Sequence, residues 1–324
     1  MGIFLNLILL VGGLVLLVQS ANLFVNSSVS IARHLKIPKV VIGLTIVAMG
    51  TSAPEVVISV SAALGGSSEM AIGNVTGSNL FNMLFIVGLC TFIFPFHVKL
   101  NRIARDFWVC LIATILVLAL MLFFGNYIPQ WGGALLLIGF AVYMFLLIRK
   151  TIKDKEGSGG EVAENEKKPK PLWLSIILTI VGGILIVGGG QLTVFSASNI
   201  AQAIGVSERI IAITIVSMGT SLPELVTTLI ACKKNEGEFA LGFIVGSSLF
   251  NLMFVLGIAG VIIPLTFDTS MLFDMAVLTA TTALFFLFCK TGGRLARLEG
   301  LVMVIIFTTY MTFVLLNPTV VYSN

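Results

Sequence analysis

Two carboxylates lie inside long apolar segments of the sequence. Glu55 ends the heptapeptide MGTSAPE, and Glu224 ends the closely similar MGTSLPE in the second half of the chain. Of the 15 Asp and Glu residues, only these two fall deep within predicted membrane spans. A charged side chain at the centre of a bilayer costs about 2.5–3.5 kcal/mol on insertion scales, so such an acid indicates a functional site.

A proline precedes each of these acids. Pro54 and Pro223 have no N–H to donate to the carbonyl four residues earlier, so each should kink or unwind its helix. In hydrocarbon, a carbonyl freed in this way needs a partner from protein, water or an ion. A kink can also be only a packing device, but the proline–acid pair occurs twice in the same register, which favours a functional interpretation.

Hydroxyl and amide oxygens accompany both acids. In each heptapeptide a threonine and a serine precede the acid by four and three residues, so helical spacing places them on its face. A serine and an asparagine stand four residues apart in the helix that follows. The first set is Thr51, Ser52, Ser78 and Asn82, and the second is Thr220, Ser221, Ser247 and Asn251. Oxygen ligands with two negative charges suit a hard cation such as Ca²⁺, whereas nearby Asn79 and Ser248 are expected to have structural roles.

The composition is that of a membrane protein. Hydrophobic residues make up 57% and charged residues 10% of the chain, against about 25% charged in soluble domains. Segments long enough to cross a bilayer lie at 3–24, 38–63, 70–94, 104–124, 128–148, 172–201, 209–231, 239–264, 270–289 and 298–316. We therefore predict an all-α multi-pass protein with ten transmembrane helices, the first a retained span rather than a signal peptide.

The basic residues predict the orientation in the cell membrane. With the N-terminus outside, every Lys and Arg except Arg209 falls in an inner connection, as the positive-inside rule requires. Both termini are then outside and the central linker is cytoplasmic. The net charge of +4 reflects this topology and the lipid head groups rather than a nucleic-acid partner. The spacing of the four cysteines and two histidines indicates free thiols and solvated histidines, not a metal or redox site.

The chain is a duplication. Residues 45–57 (TIVAMGTSAPEVV) and 214–226 (TIVSMGTSLPELV) agree at 10 of 13 positions. We expect a first five-helix repeat at 1–150, a flexible linker at 151–171 and a second five-helix repeat at 172–324. Because five is odd, the second repeat must enter the membrane from the opposite side. Inverted repeats with interrupted helices are typical of secondary transporters, which bind substrate where the repeats meet.

These motifs resemble the sodium/calcium exchanger family of the calcium/cation antiporter superfamily, in its prokaryotic type. The resemblance covers nearly the whole chain and includes GTSAPE, GTSLPE and the later GSNLFN and GSSLFN. It implies an antiporter that exchanges Na⁺ for Ca²⁺ by alternating access, with no cofactor and no obligatory protein partner. It also implies that the first and sixth helices slide as a pair.

The resemblance further implies which residues hold the ions. A central calcium site would use Glu55 and Glu224 with the backbone oxygens of Thr51 and Thr220. One sodium site would use the Ala48 carbonyl, Thr51, Ser52, Glu55 and Ser78, and its mirror the Ser217 carbonyl, Thr220, Ser221, Glu224 and Ser247. Asn82 and Asn251 would complete the middle. The amide at Asn251 argues against K⁺ co-transport, and the short linker argues against calcium-sensing domains.

Several functions compete on these residues. Two midplane carboxylates could also carry protons, so an H⁺/Ca²⁺ antiporter on the same fold stays open. The inverted repeat and the closed polar cluster argue against a passive cation channel. An enzyme is disfavoured because the sequence pairs no nucleophile with a base. If the two acids hold either one Ca²⁺ or about three Na⁺, the site differs by one charge between the two states. We therefore predict that the exchange is electrogenic.

Overall fold

The computed structural model describes residues 3–125, 127–157, 171–204, 217–290 and 293–316, and these are mostly helical. The first half contains α1 (Ile3–Leu35), α2 (Lys39–Ile42), π1 (Gly43–Val47), α3 (Ala48–Thr51), α4 (Ala53–Leu64), α5 (Ser68–Leu80), π2 (Phe81–Ile86), α6 (Val87–Ile93), β1 (Phe96–His97), α7 (Leu100–Phe124), β2 (Tyr127–Ile128) and α8 (Gln130–Gly157). The second half contains α9 (Leu172–Ala203), α10 (Ser217–Gly219), α11 (Leu222–Lys233), α12 (Gly237–Leu249), π3 (Phe250–Val255), α13 (Leu256–Ile262), β3 (Leu265–Thr266), α14 (Ser270–Lys290), β4 (Arg294–Leu295) and α15 (Arg297–Leu316).

The helices confirm a multi-pass membrane protein. Eight helical runs among the described residues are long and apolar enough to cross a bilayer, and a ninth span is the pair 39–51 and 53–64, bent by 51°. The predicted span 209–231 lies partly outside the described residues, and α10 and α11 are its described part. The helix α8 continues to Gly157, into the segment that the sequence assigns to the linker, of which residues 158–170 lie outside the described residues.

The first helix is longer than predicted. It runs for 33 residues, to Leu35 rather than to residue 24, because its polar last third is satisfied inside the helix and by α9. Ser27 donates to the Leu23 carbonyl at 2.8 Å, and Thr179 of α9 donates to Ser27 at 3.0 Å. At about 1.5 Å per residue, α1 and α9 are each roughly 50 Å long.

Glycines allow α1 and α9 to pack closely along their length. A Cβ added to Gly189 of α9 would lie 2.9 Å from the backbone nitrogen of Leu17 in α1. Such close backbone approach is a common basis of helix association in membranes. The two helices therefore form one tightly packed antiparallel pair.

Breaks in the helices follow the motifs of the sequence. Ser52 and Ser221 each have a non-helical backbone, with φ −81° and ψ 13° at Ser52 and φ −92° and ψ 9° at Ser221. In each case a proline occupies the first turn of the next helix, α4 or α11, where its missing N–H costs no hydrogen bond. The predicted kinks are thus confirmed as helix breaks.

The same elements recur in the register that relates Glu55 to Glu224. The helices α5 and α12 have 13 residues each, π2 and π3 have 6, and α6 and α13 have 7. In both halves a π segment interrupts the helix at the GSNLFN or GSSLFN motif. Such π segments occur often at functional sites.

Two short antiparallel sheets lie at opposite ends of α7. In one, β1 pairs with β4, so that Phe96 lies opposite Leu295. In the other, β2 pairs with β3, so that Ile128 lies opposite Leu265. Since β1 precedes α7 and β2 follows it, the two sheets define a β1–β4 end and a β2–β3 end of the molecule.

The helix α12 lies at the centre of the fold. Almost all of its side chains are buried, and it packs against α2, π1, α7 and α11. At Gly246 an added Cβ would come within 2.5 Å of the Leu44 Cα in π1. Glycine at this position therefore lets the broken helix of the first half approach the second half.

Candidate cation-binding site

The two acids occupy equivalent buried positions. Glu55 lies in the first turn of α4 and Glu224 in the first turn of α11. Their exposed fractions are 1% and 0%, and the carboxylates lie close enough for their charges to interact. Each helix N-terminus contributes a partial positive charge that favours a carboxylate there.

Serines of one half hydrogen-bond to the acid of the other half. Ser52 donates to Glu224 Oε1 at 3.2 Å, and Ser221 donates to Glu55 Oε1 at 3.4 Å. Regular helical spacing had placed each serine beside the acid of its own segment. The spacing does not apply here because each serine lies at the helix break, which turns its side chain toward the other half.

A chain of hydrogen bonds alternates between the halves. Since Ser52 gives its single proton to Glu224, Ser247 is the donor in the 2.7 Å contact between the two serine hydroxyls. Ser247 in turn accepts from Asn82 Nδ2 at 3.5 Å. The order Asn82, Ser247, Ser52, Glu224 therefore passes from one half to the other at each step, so these four predicted residues are brought together.

The second asparagine is held by a different partner. Asn251 donates from Nδ2 to Asn79 Oδ1 at 3.3 Å, and Asn79 donates to the Ser248 carbonyl at 3.2 Å. Asn79 and the Ser248 backbone carbonyl thus support Asn251, whereas the buried Ser248 hydroxyl has no hydrogen-bond partner among the described residues. The side-chain NH₂ group of Asn251 is therefore used in a hydrogen bond, and its Oδ1 atom stays available to accept one or to bind an ion.

Four buried carboxylate and amide oxygens have no hydrogen-bond donor among the described residues. They are Glu55 Oε2, Glu224 Oε2, Asn82 Oδ1 and Asn251 Oδ1, two from each half. A buried acceptor without a donor costs about 1–3 kcal/mol, more when it is charged. Carboxylate and amide oxygens in this condition are suited to ligate a hard cation.

The remaining predicted ligands differ in their environments. Thr51 is fully buried and donates to the Val47 carbonyl of its own helix at 3.2 Å, whereas Thr220 is half-buried. The Ala48 carbonyl already accepts from the Ser52 backbone at 3.1 Å and from the Thr51 hydroxyl at 3.4 Å. Ser78 is buried. Ser217 is the first residue described after the gap at 205–216.

Sequence reasoning missed the residues that hold the backbone near Glu55. Asn74 in α5 donates to the Glu55 carbonyl at 3.3 Å and to the Ser59 hydroxyl at 2.9 Å. A signal was present, because Asn74, Ser78 and Asn82 follow one another at intervals of four. In the second half, Thr228 donates to the Glu224 carbonyl at 2.7 Å within its own helix.

A third acid is buried near the end of a span. Asp106, in the second turn of α7, has an exposed fraction of 1%. Tyr143 donates to it at 3.0 Å, and Arg105 contacts it at 3.2 Å. The packing of α8 on α7 brings Tyr143 to Asp106, and these two partners explain why an acid is tolerated there.

The described residues contain no group of three or more His, Cys, Asp or Glu. All four cysteines are free and buried. Glu55 and Glu224 therefore supply the charge of the site, and neutral oxygens supply the rest. Oxygens of these kinds are the ligands that hard cations prefer.

Comparisons with known proteins agree with this chemistry. A sequence model of the family described as "Sodium/calcium exchanger protein" matches residues 5–149 and 174–316. This chain belongs to the sodium/calcium exchanger family. Membership of this family makes the chain a cation/Ca²⁺ antiporter of the prokaryotic type rather than a member of an enzyme class.

Individual relatives of this exchanger cover almost all of it. Sodium/calcium exchanger MaX1 of Methanosarcina acetivorans is 28% identical over 340 residues, which cover 94% of this chain and 97% of MaX1. Inner membrane protein YrbG of Escherichia coli is 32% identical over 292 residues, 87% of each chain. The solved structure of the sodium-calcium exchanger NCX_Mj soaked with Na⁺ and without Ca²⁺ has a TM-score of 0.83 and 30% identity, and the match covers 96% of this chain and 99% of NCX_Mj.

Proposed function

We propose that this exchanger moves Ca²⁺ against Na⁺ by alternating access, with about three Na⁺ for each Ca²⁺. The ions are its substrates, and no cofactor takes part. The proposal rests on one observation above all: each half contributes one carboxylate oxygen and one amide oxygen that are buried and lack donors among the described residues.

Charge favours Ca²⁺ as one of the two substrates. Two carboxylates neutralise one Ca²⁺, which takes six to eight oxygens in irregular geometry. The hydroxyls of Ser52 and Ser221 already contact the carboxylates, so they can turn their lone pairs to an ion that displaces these hydrogen bonds. Glu55, Glu224 and Thr51 thus form the calcium site that we propose, together with Thr220.

The two sodium sites that we propose flank the calcium site and share its acids. One uses the Ala48 carbonyl, Thr51, Ser52, Glu55 and Ser78, and its mirror uses the Ser217 carbonyl, Thr220, Ser221, Glu224 and Ser247. Asn82 and Asn251 complete the middle. Because Ser52 contacts Glu224 and Ser247, the two sodium sites share residues across the halves. Filling one site should therefore change the other, which couples the ions.

An inverted repeat of ten helices would provide the two access states. In the register that relates Glu55 to Glu224, β1 corresponds to β3, and β4 follows α14 as β2 follows α7. Exchange of the halves thus converts the β1–β4 pair into the β3–β2 pair at the other end of α7. This relation supports a second half that enters the membrane from the opposite side.

Ca²⁺ uptake into Na⁺-loaded proteoliposomes tests the proposal. Uptake should require the outward Na⁺ gradient and should persist when the pH is equal on both sides. Uptake that follows a pH gradient and ignores Na⁺ would instead identify an H⁺/Ca²⁺ antiporter. Flux that needs no counter-ion would identify a channel, and added K⁺ should have no effect because Asn251 is an amide.

The stoichiometry follows from the charge of the site. Two carboxylates with one Ca²⁺ sum to zero, whereas with three Na⁺ they sum to +1, so one charge crosses in each cycle. A unit charge crossing 100 mV is worth about 2.3 kcal/mol. Clamping the potential with K⁺ and valinomycin should therefore change Na⁺-driven Ca²⁺ flux, and indifference to the potential would contradict the third Na⁺.

A further inference from the structure

The turn between α11 and α12 contacts the first helix at the β1–β4 end. Lys234 donates to Asn26 Oδ1 at 2.8 Å and to the Asn22 carbonyl at 3.3 Å, both in α1. Gly237 lies against the ring of Phe96 in β1, which places the turn at this end. We call this interaction the Lys234 contact.

Two ion pairs join the same turn to other helices. Glu236 accepts from Lys39, at the start of α2, at 2.8 Å. Glu238 pairs with Lys99, which precedes α7, at 3.3 Å. The turn therefore connects three separate parts of the first half at the β1–β4 end.

The corresponding turn at the β2–β3 end has different polar contacts, since Ser68 donates to the Thr266 carbonyl at 2.9 Å and accepts from the Thr266 backbone N–H at 3.1 Å. In the register of the two halves, Gly65 replaces Lys234 and cannot donate from a side chain. The pair of Lys99 and Glu238 corresponds to Asp268 and Glu69, two acids that cannot form an ion pair with each other. The Lys234 contact and the Lys99–Glu238 ion pair thus have no counterpart in this turn, although the helices themselves are duplicated.

The packing of the long helix pair is one-sided in the same sense. The helix α1 packs along α11, whereas α9, its counterpart, makes far less contact with α4. Val57 of α4 is accordingly 65% exposed. The conformation is therefore more closed along α11, toward the β1–β4 end, than along α4, toward the β2–β3 end.

We propose that Lys234 is a positioning residue that holds α1 against α11, so that the exchanger favours the state closed at the β1–β4 end. This inference rests on the proposed alternating access of the exchanger. An ammonium that donates to two oxygens of another helix is a charge-assisted contact, and it must break before α1 can move along α11. Partial burial lowers the pKa of Lys234, and the nearby Glu236 carboxylate opposes this shift.

The first test compares Lys234→Met, which keeps an unbranched side chain but removes the ammonium group, with Lys234→Arg and Lys233→Met. Half-saturating Ca²⁺ is measured from each side in vesicles of both orientations. Loss of one charge-assisted contact at a half-buried position should shift the equilibrium between the state closed at the β1–β4 end and the state closed at the β2–β3 end about fivefold. In Lys234→Met, half-saturating Ca²⁺ should fall at the β1–β4 side and rise at the β2–β3 side.

The controls separate positioning from general damage. Lys234→Arg keeps a donor and should restore the wild-type ratio of the two values, and Lys233→Met, an exposed neighbour, should leave it unchanged. An unchanged ratio in Lys234→Met, or a shift in the same direction on both sides, would overturn the inference. Absence of Ca²⁺ exchange by the wild type in these vesicles would instead contradict the proposed function.

A cross-link tests whether the contact opens. In a chain with the four native cysteines replaced by serine, Asn26→Cys and Lys234→Cys are joined by a bis-methanethiosulfonate reagent whose spacer matches the reach of the lysine side chain. Each thiol forms a mixed disulfide with the spacer sulfur and releases methanesulfinate. Exchange should stop and should return with a reductant. The matched pair Ser30→Cys and Ser175→Cys joins α1 to α9, whose hydroxyls lie 2.9 Å apart, and should leave exchange intact. Full exchange by the first cross-linked protein, or a block by both pairs, would overturn the role of the Lys234 contact.

Discussion

The two helical runs that contain the asparagines have the same lengths but different surroundings. In the run Ser68–Ile93, 72% of the most apolar 18-residue stretch is buried inside the protein, and in the run Gly237–Ile262 the buried share is 94%. Asn74 of the first run supports the Glu55 carbonyl from a neighbouring helix, whereas its counterpart, Phe243, is apolar and fully buried. The comparison indicates that the ligand oxygens are duplicated but that their supports are not.

Removal of either acid should have the largest effect and should be equal in the two halves. Glu55→Gln and Glu224→Gln each remove half the charge that balances Ca²⁺, so we expect Ca²⁺ transport to be lost in both. Folding should survive because a neutral amide is easier to insert than a carboxylate, which size-exclusion profiles can check. Near-normal uptake by either variant in vesicles of matched protein content would contradict the proposed site.

The two serines at the helix breaks should contribute unequally to apparent Ca²⁺ affinity. Ser52 contacts both Glu224 and Ser247, whereas Ser221 contacts Glu55 at 3.4 Å. Hydrogen bonds to charged groups contribute about 1.5–3 kcal/mol, so Ser52→Ala should weaken apparent Ca²⁺ affinity about tenfold. Ser221→Ala should weaken it only about threefold. Calcium titrations of transport in both variants measure this difference, and equal effects would show that the halves are equivalent at this position.

A carboxylate at Asn251 should make transport depend on pH. In Asn251→Asp, only the protonated side chain can donate to Asn79 Oδ1, and the ionised form adds a third negative charge beside the two acids. Loss of that proton as pH rises strengthens the attraction for Ca²⁺, so apparent affinity should increase with pH more steeply than in the wild type. Identical pH profiles would place Asn251 outside the cluster.

The two buried acids could be predicted from the sequence because a bilayer restricts what can be buried. An acid or a proline in an apolar span is costly, so Glu55, Glu224 and their prolines stood out. The predicted length of α1 was too short for the opposite reason. Serines and asparagines in its last third indicate a helix end in the sequence, and only the structure shows that α9 supplies hydrogen-bond partners for them. Composition cannot reveal a partner that is 152 residues away, as Thr179 is from Ser27.

The cross-connections of the site also lay beyond the sequence. Helical spacing assumes a continuous helix, and it fails at Ser52, where the chain bends by 51° between α3 and α4. The serine consequently reaches the other half rather than following the spacing. Asp106 was likewise placed near a helix end without its partner Tyr143, because nothing in the sequence specifies how α7 and α8 face each other.

The smallest expected difference in apparent Ca²⁺ affinity concerns the side chains that hydrogen-bond to the backbone carbonyls of the two acids. Asn74 links α5 to α4 through the Glu55 carbonyl and Ser59, so it fixes one helix relative to another. Thr228 donates within its own helix, a common arrangement in membrane helices that carries little energy, and it has no other hydrogen bond to the described residues. Asn74→Leu should therefore weaken apparent Ca²⁺ affinity about threefold, as expected for the loss of roughly one neutral hydrogen bond, and Thr228→Val should leave it unchanged. Calcium titrations of transport at constant protein content measure both variants. A larger effect of Thr228→Val would mean that the second acid, despite its more buried helix, depends more on its backbone support than the first.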